Sequence, residues 1–548
     1  MPDHAPWSRR LRVAVTMPIA KRTFLVPSIA DCVFILALLI VTLVWARPAL
    51  NTDGDAGRHI RVGETILQRG GLFYEDFFSH TMAGEDFVPY EWGSEVLTAL
   101  AHRAGGLPGV VILHGLVVAT AWFLLALLLR RRGVDPLLTF LVSIAATAAS
   151  AFHWLARPHV FSFVGAILTL WLLESDGRTD ETSNRVESGH KTIRPSGPRN
   201  VRHLLTTLLL FAVWANLHGG FLFGLVLIGM YLVGGSLEIL LGNGEVVWRS
   251  RLAHHTLILL AAIAGAALNP SGFGLFAHVT GYLGKTYLVN MTNEYMSPDF
   301  HLWFGRAFLL LLLALILGVL LSRRRPSWPT IVVFLGTLAF ALHSARNIPL
   351  FCLTSLPLLA VHLDAEWREL RWRPLERIRV GIAIGDGQAR AGGWMAGFAA
   401  VFLLLLVNSG RLTGVPVVVA DYDPTIFPVG AVRRAREAGL EGRLFNQFIW
   451  GGYILYAWPE QRVFIDGQTD FYGEELTREY GEVISVGKTW RERLASRRIS
   501  LILAPTGSPL GAQVIREENW RTWHIDSTAT LFVRVGSDAD RILPVPGR

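Results

Sequence analysis

Thr52-Asp53-Gly54-Asp55-Ala56-Gly57-Arg58-His59-Ile60 follows directly on the first apolar run of the chain, residues 28–47, and its reading decides the fold. Charged groups this close to hydrocarbon are costly unless they are paired or lie at a water-filled face. One reading is a solvated loop start, with the aspartates capping a helix that begins near Ala56. The other is a carboxylate site at the boundary between membrane and water.

Working outward, the 28–47 run is preceded by Arg9, Arg10, Arg12, Lys21 and Arg22 and is long enough to span, so it reads as a retained anchor rather than a cleaved signal. Of the 548 residues, 51% are hydrophobic and 17% charged. With a mean hydropathy of +0.39, this balance belongs to a polytopic membrane protein and not to a soluble core. Cys32 and Cys352 both lie in apolar segments, which excludes a disulfide framework. The net charge of +8 does not point to nucleic acid, because the basic residues gather in alternate loops as membrane topology requires.

A span needs about 20 apolar residues, and eleven candidates follow in order. After 28–47 comes an outer loop, 48–106, with an amphipathic stretch at Glu91–His102. The second span, 107–129, ends in Arg130-Arg131-Arg132. Spans three and four turn at Arg157-Pro158-His159, and a polar, Ser/Gly-rich linker, 174–203, reads as disordered. Spans five and six meet at Asn216-Leu217-His218-Gly219-Gly220, and span seven leads into a loop at 269–301. Span eight ends at Arg323-Arg324-Arg325, nine and ten flank Ser344-Ala345-Arg346-Asn347, and a basic loop precedes span eleven, 394–408. With the basic segment 1–27 in the cytoplasm, every arginine cluster except the turns at Arg157 and Arg346 falls inside. The acidic loop, the 269–301 loop and residues 411–548 then face outward, and the chain is a multi-pass protein of the cell's inner membrane.

Residues 28–410 form the transmembrane part and 411–548 a small soluble α/β domain. There, Arg462–Asp466, Ile499–Ala504 and Thr528–Val535 read as strands, and Arg478–Val486 and Trp490–Arg497 as helices. The absence of a P-loop, a dinucleotide fingerprint and metal-ligand cysteines in this domain argues against a nucleotide-driven pump.

The unusual polar residues at span ends share the outer face: Asp53, Asp55, His59, Glu91, Arg157, His159, Asn216, His218, Glu294 and Arg346. Taken singly, an arginine beside a helix end usually snorkels, and a histidine there is more often a satisfied structural residue. Taken together, Arg157 and Arg346 break the basic-inside pattern on the face that carries the carboxylates. Arginine suits a lipid phosphate through bidentate contacts; His59, His159 and His218 add possible donors. One carboxylate can act as general base toward an acceptor hydroxyl, and another can hold a divalent cation, Mg2+ or Mn2+, against a departing phosphate. Such chemistry fits glycosyl transfer from a polyprenyl-phosphate-linked donor among membrane lipids.

The first outer loop, DGDAGRHIRVGETILQRGG followed by PYEWGSEVLTALAHRAGG, resembles the first loop of GT-C membrane glycosyltransferases of the protein mannosyltransferase and aminoarabinose transferase branch. The resemblance implies Asp55 as the catalytic aspartate, Asp53 as the alternative register and Glu91 as the later acidic position. The overall layout is similar to the oligosaccharyltransferase branch. Met291-Thr292-Asn293-Glu294 resembles that branch's Thr-Ile-x-Glu motif, and Phe448-Ile449-Trp450-Gly451-Gly452-Tyr453 its Trp-Trp-Asp-Tyr-Gly motif. This adds Glu294, Trp450 and Tyr453 as substrate contacts, and Asp55 with Glu294 as metal ligands. The chain departs from the pattern in two places: Leu155-Ala156-Arg157-Pro158-His159 stands where that branch has a second acidic cluster, and no aspartate precedes Tyr453. An aromatic-Gly-Gly-aromatic turn also commonly just packs a small domain, and Asp466-Gly467 reads first as a strand-end turn.

The expectation is thus a polytopic α-helical GT-C-like protein that transfers a sugar, with inversion, to an extracytoplasmic lipid, glycan or protein acceptor. The rival is a non-catalytic carrier or assembly scaffold for lipid-linked saccharides. A carrier should place polar residues through the midplane of repeated halves, whereas this chain keeps them at the outer span ends and shows no internal repeat.

Overall fold

Ser28 starts the first helix, α1 (Ile29–Leu39), by a reciprocal cap: its hydroxyl accepts the Asp31 N–H and the Asp31 carboxylate accepts the Ser28 N–H. A π-helical turn at Ile40–Val44 and the short α2 (Ala46–Asn51) lead to the acidic stretch. In this computed structural model, residues 25–175, 197–242, 245–285, 287–288, 293–370 and 372–542 are described. Most of the basic segment 1–27, the central part of the linker 174–203, and Met291 and Thr292 lie outside the described residues.

Helix α3 (Asp55–Arg69) begins at Asp55, one residue before the expected Ala56, and stops at Gly70 in the left-handed region. It lies on the first half of α4 (Trp92–Arg131), with Gly63 so close that a Cβ would stand 2.0 Å from the Glu95 carbonyl oxygen. Gly106, at φ 63°, breaks α4 into the expected juxtamembrane stretch and the span behind it. The remaining helices are α5 (Pro136–Ser150), α6 (Phe161–Ser175), α7 (Gly197–Leu217), α8 (Phe221–Leu240), α9 (Glu245–Ala266), α10 (Gly274–Leu283), α11 (Trp303–Leu321), α12 (Trp328–His343), α13 (Ile348–Glu369), α14 (Arg373–Gln388) and α15 (Gly393–Val407). The eleven expected spans coincide with helical segments, the first of them divided among α1, the π-helical turn and α2. Among the described residues, six helices are long and apolar enough to cross a membrane, by length and composition. Helix α13 runs through the centre of the bundle, whereas α11 exposes Leu310, Leu313, Leu317 and Leu320 along one side, as a lipid-facing helix does.

After a two-stranded hairpin, β1 (Arg411–Leu412) and β2 (Val415–Pro416), come α16 (Val429–Glu437), β3 (Leu444–Asn446), α17 (Gly451–Ala457), α18 (Thr469–Ile484), α19 (Trp490–Ser496), β4 (Leu501–Pro505), α20 (Pro509–Val514), β5 (Trp520–Ile525) and β6 (Ala529–Arg534). The sheet order is β3-β4-β6-β5, with β3 parallel to β4 and the other pairs antiparallel. The expected strand at 462–466 is not a strand of this sheet. Its backbone hydrogen bonds go elsewhere: the Asn446 side chain accepts the Phe464 N–H and donates to the Ile465 carbonyl, while Val463 exchanges bonds with Phe78 and His80 of the first outer loop. That loop and the soluble domain therefore lie on the same side of the bundle.

Candidate functional site

Four turns converge where the bundle meets the soluble domain. The Ala156 N–H donates to the Ala49 carbonyl, which fixes the Arg157 turn beside the acidic stretch. The Ala345 N–H donates to Met296, and the Ser344 hydroxyl to the Glu294 carbonyl, which fixes Glu294 beside Arg346. Glycines bring in the soluble domain. A Cβ on Gly54 would stand 1.9 Å from the Ile449 carbonyl oxygen, one on Gly452 2.2 Å from that of Gly54, and one on Gly467 1.7 Å from Asp55 Oδ1. A side chain at Gly54 or Gly452 would drive the two parts of the chain apart, and one at Gly467 would displace the Asp55 carboxylate.

The charged groups at this junction fall into two layers. In the reachable layer, Arg157 is the hub: Nη1 lies 2.8 Å from Asp53 Oδ2 and 3.5 Å from Glu294 Oε2, and Nη2 lies 2.9 Å from Asp55 Oδ2. Glu294 Oε1 is 3.4 Å from Arg346 Nη1, and the Arg346 guanidinium stacks 4.4 Å above the Tyr295 ring. Glu91 Oε1 lies 3.6 Å from His218 Nε2. The His218 Nδ1 takes the Ser162 hydroxyl at 2.7 Å and the Gly220 N–H at 3.0 Å, so Nε2 carries the hydrogen and points it at Glu91. All seven charged or imidazole side chains of this layer retain 14–25% of their exposure.

Behind it lies a closed layer exposed by only 2–8%: Arg58 reaches Asp466 at 3.2 Å and Glu95 at 3.8 Å, and His59 Nδ1 meets Glu95 Oε1 at 3.2 Å. The Tyr472 hydroxyl donates to Asp466 at 3.0 Å. This layer holds α3, the first half of α4 and the soluble domain in register, and buried pairs of this kind are costly to break.

Burial pushes the Asp53 carboxyl up to about 6, against the lowering pull of Arg157. Burial likewise pushes Glu91 up to about 7. At Glu294 burial acts in the same direction but is outweighed by Arg157 and Arg346, which hold the carboxyl down at about 2. Burial and the two arginines keep His218 well below its ordinary value. His59 is raised: burial would lower it, but its hydrogen bond to Glu95 and the Glu91 charge prevail.

The structure therefore brings together Asp53, Asp55, Arg157, Glu294 and Arg346 in one contact chain, with Glu91 and His218 beside it. His59 belongs to the closed layer. His159 is buried; its Nε2 donates to the His153 carbonyl and its ring lies 4.2 Å from the His153 ring. Trp450 and Tyr453 are buried too: Trp450 donates to the Ile426 carbonyl, and Tyr453 packs on Tyr422 and Phe427. Sequence reasoning missed Arg58 and Glu95 and read Asp466-Gly467 first as a turn. Only Glu95 left a signal, standing four residues after Glu91 on one helix face.

Asp55 and Glu294, expected as metal ligands, do face a common point together with Asp53, but the group at that point is the Arg157 guanidinium. While Arg157 holds that place, the three carboxylates do not fit a divalent cation, because the two positive groups would compete for the same oxygens. One group among the described residues has metal-ligand spacing, His59, Glu91 and Glu95, whose ligand atoms lie within 4.8 Å of one another. Arg58 beside Glu95 and the His59–Glu95 bond already satisfy much of it.

No family model matches the sequence, and no curated protein does. Solved structures do. The oligosaccharyltransferase of Archaeoglobus fulgidus in its apo form superposes over 94% of this chain and 75% of its own, with a TM-score of 0.53 and 11% identity. The archaeal oligosaccharyltransferase AglB from the same organism, in complex with an inhibitory peptide and a dolichol-phosphate, covers 93% and 74% at the same score and identity. The fold is GT-C-like, similar to that of these archaeal oligosaccharyltransferases. Within it, the reachable layer occupies the junction between the helical bundle and the soluble domain, and a GT-C-type fold at 11% identity leaves the chemistry to be argued from these side chains.

Proposed function

We propose that the chain is an inverting membrane glycosyltransferase that moves a sugar from a polyprenyl-phosphate-linked donor to an extracytoplasmic lipid, glycan or protein acceptor. The observation that carries this reading is the reachable layer: three carboxylates and two arginines, a net charge of −1, packed at the ends of apolar helices and still open to a ligand. A charged cluster kept partly open beside hydrocarbon is expensive to maintain for structure alone. The dolichol-phosphate bound by the similar AglB supports a lipid-phosphate donor. The orientation that puts Arg130–Arg132 and Arg323–Arg325 in the cytoplasm puts this site outside.

In the proposed reaction the acceptor hydroxyl oxygen attacks the anomeric carbon, and the bond from that carbon to the phosphate oxygen breaks, its electron pair leaving with the phosphate. The hydroxyl proton passes to Asp55, whose other side is held by Arg157. Arg346, which shares only one carboxylate, meets the leaving phosphate, while Arg157 with three carboxylate partners chiefly sets their positions. Asp53 and Glu91 complete the acidic wall. The closed layer, including His59, positions these groups and touches no substrate.

The test incubates membranes holding the chain with a radiolabelled polyprenyl-phosphate sugar and with lipid, glycan and protein fractions from a deletion strain. Label should pass to one fraction only when the chain is present. If no fraction gains label with any common sugar, the scaffold reading replaces this one.

A further inference from the structure

We propose that this site works without a divalent metal ion, because the Arg157 guanidinium permanently supplies the cation among its carboxylates. The inference deepens the glycosyltransferase reading by naming the cation, but its decisive measurement does not depend on that reading.

Three observations carry it. First, one guanidinium contacts three carboxylates from two segments: Asp53 at 2.8 Å and Asp55 at 2.9 Å from the acidic stretch, and Glu294 at 3.5 Å from the far loop. A snorkelling arginine would extend toward water or lipid phosphate instead. Second, the backbone that delivers it is fixed. The Ala156 N–H is bonded to Ala49, the Arg157 N–H to the Leu155 carbonyl, and Pro158 locks the next residue. The Arg157 backbone is therefore fixed beside the acidic stretch, and its contacts to Asp53, Asp55 and Glu294 hold the guanidinium there. Third, the second cation, Arg346, is stacked on Tyr295 and shares Glu294, so the cluster is neutralised to within one charge by organic cations alone. An added dication would have to displace Arg157 from oxygens it already holds or sit against it at close range, and both are opposed by like-charge repulsion. A guanidinium is planar and presents several donors, so it can bridge carboxylates that a spherical ion would gather.

The experiment uses the full chain, stripped of metal with chelator, and Mn2+ followed by electron paramagnetic resonance. Wild type should take up no stoichiometric Mn2+ at free concentrations on the order of 100 μM. Arg157→Ala, which frees three carboxylates around one point, should gain about one Mn2+ per chain, and Arg157→Ala with Asp55→Asn should lose it again. Because Arg157→Ala can fail to fold, Arg157→Gln serves as a second variant; it keeps hydrogen bonding and removes the charge. The wild-type measurement needs no variant at all. One Mn2+ bound tightly to wild type overturns the proposal, whether Asp55→Asn or Glu91→Gln removes it. In the transfer assay, chelator should leave the wild-type rate within about twofold, and loss of transfer restored by Mn2+ overturns the proposal as well. A chain that transfers nothing sinks the glycosyltransferase reading and leaves the Mn2+ result standing.

Discussion

The two ends of the same helical bundle carry the same residue types, aspartate and arginine, and hold them in opposite ways. At the end away from the acidic loop, each aspartate accepts backbone N–H groups. Asp31 takes those of Ser28, Gly392 and Met395 at 2.9–3.0 Å. Asp386 takes Ile29, Asp364 takes Asp135, and Asp135 takes Leu137 and Leu138; Arg130, Arg368 and Arg379 then balance their charge. These carboxylates finish helix ends. At the other end, Asp53 still accepts the Asp55 N–H at 3.1 Å, but among the described residues Asp55 and Glu294 are held by arginine side chains and accept no backbone N–H. A carboxylate that caps a helix belongs to the fold, whereas one held by arginine side chains and still reached by solvent keeps an oxygen edge for a ligand.

The comparison breaks first at Asp55. Asp55→Asn keeps shape and most hydrogen bonding but removes the charge, so transfer should fall by roughly 10²–10⁴-fold, the usual worth of a general base. Its thermal midpoint should stay near that of wild type, since the cluster moves only from a net −1 to neutrality. A variant that transfers normally removes Asp55 from the chemistry.

At the opposite end the pattern should reverse. Asp31→Ala leaves three N–H groups unmet, each costing about 1–3 kcal/mol when buried, so the midpoint should drop by several degrees. Transfer per folded molecule should be unchanged. A midpoint equal to wild type would mean that the carboxylate does not hold α15 against α1.

A smaller effect sharpens the boundary between the layers. The Glu91 carboxyl, ordinarily near 4.5, sits at about 7, so the folded state keeps a proton that the unfolded state releases. Its contribution is whole below 4.5 and is lost as pH rises through 7. From about pH 5 to about pH 8, wild type should lose on the order of 1–2 kcal/mol more stability than Glu91→Gln, discounted for its partial exposure. Parallel midpoint curves would show that Glu91 is ionised throughout.

The charges at span ends were legible because cost marks them: Asp53, Asp55, Arg157 and Arg346 stand beside hydrocarbon, where charge is expensive, and the two arginines break the alternation of basic loops. Their mutual contacts were not, since the Arg157 turn could equally have snorkelled. Helix limits in the bundle followed apolar run length, down to the break near Gly106. In the soluble domain the same reading failed at 462–466, where an apolar run looks identical whether its backbone pairs with a strand or with one asparagine side chain and a distant loop. The start of α18 at Thr469 was hidden by Gly473, whose left-handed φ of 71° interrupts the helix and moves the visible periodicity downstream. Arg58 and Asp466, separated by 408 residues, carry no local trace of one another.

That separation sets the order in which the molecule can be born. Synthesis at about 5–20 residues per second delivers Asp466 roughly 20–80 s after Arg58. Throughout that interval Gly54, Asp55 and Arg58 stand uncovered, because the Ile449 and Gly452 backbone that closes on them does not yet exist. The last quarter of the chain thus acts as a completion signal: a ribosome that stalls before it leaves a membrane-anchored product with its charges bare.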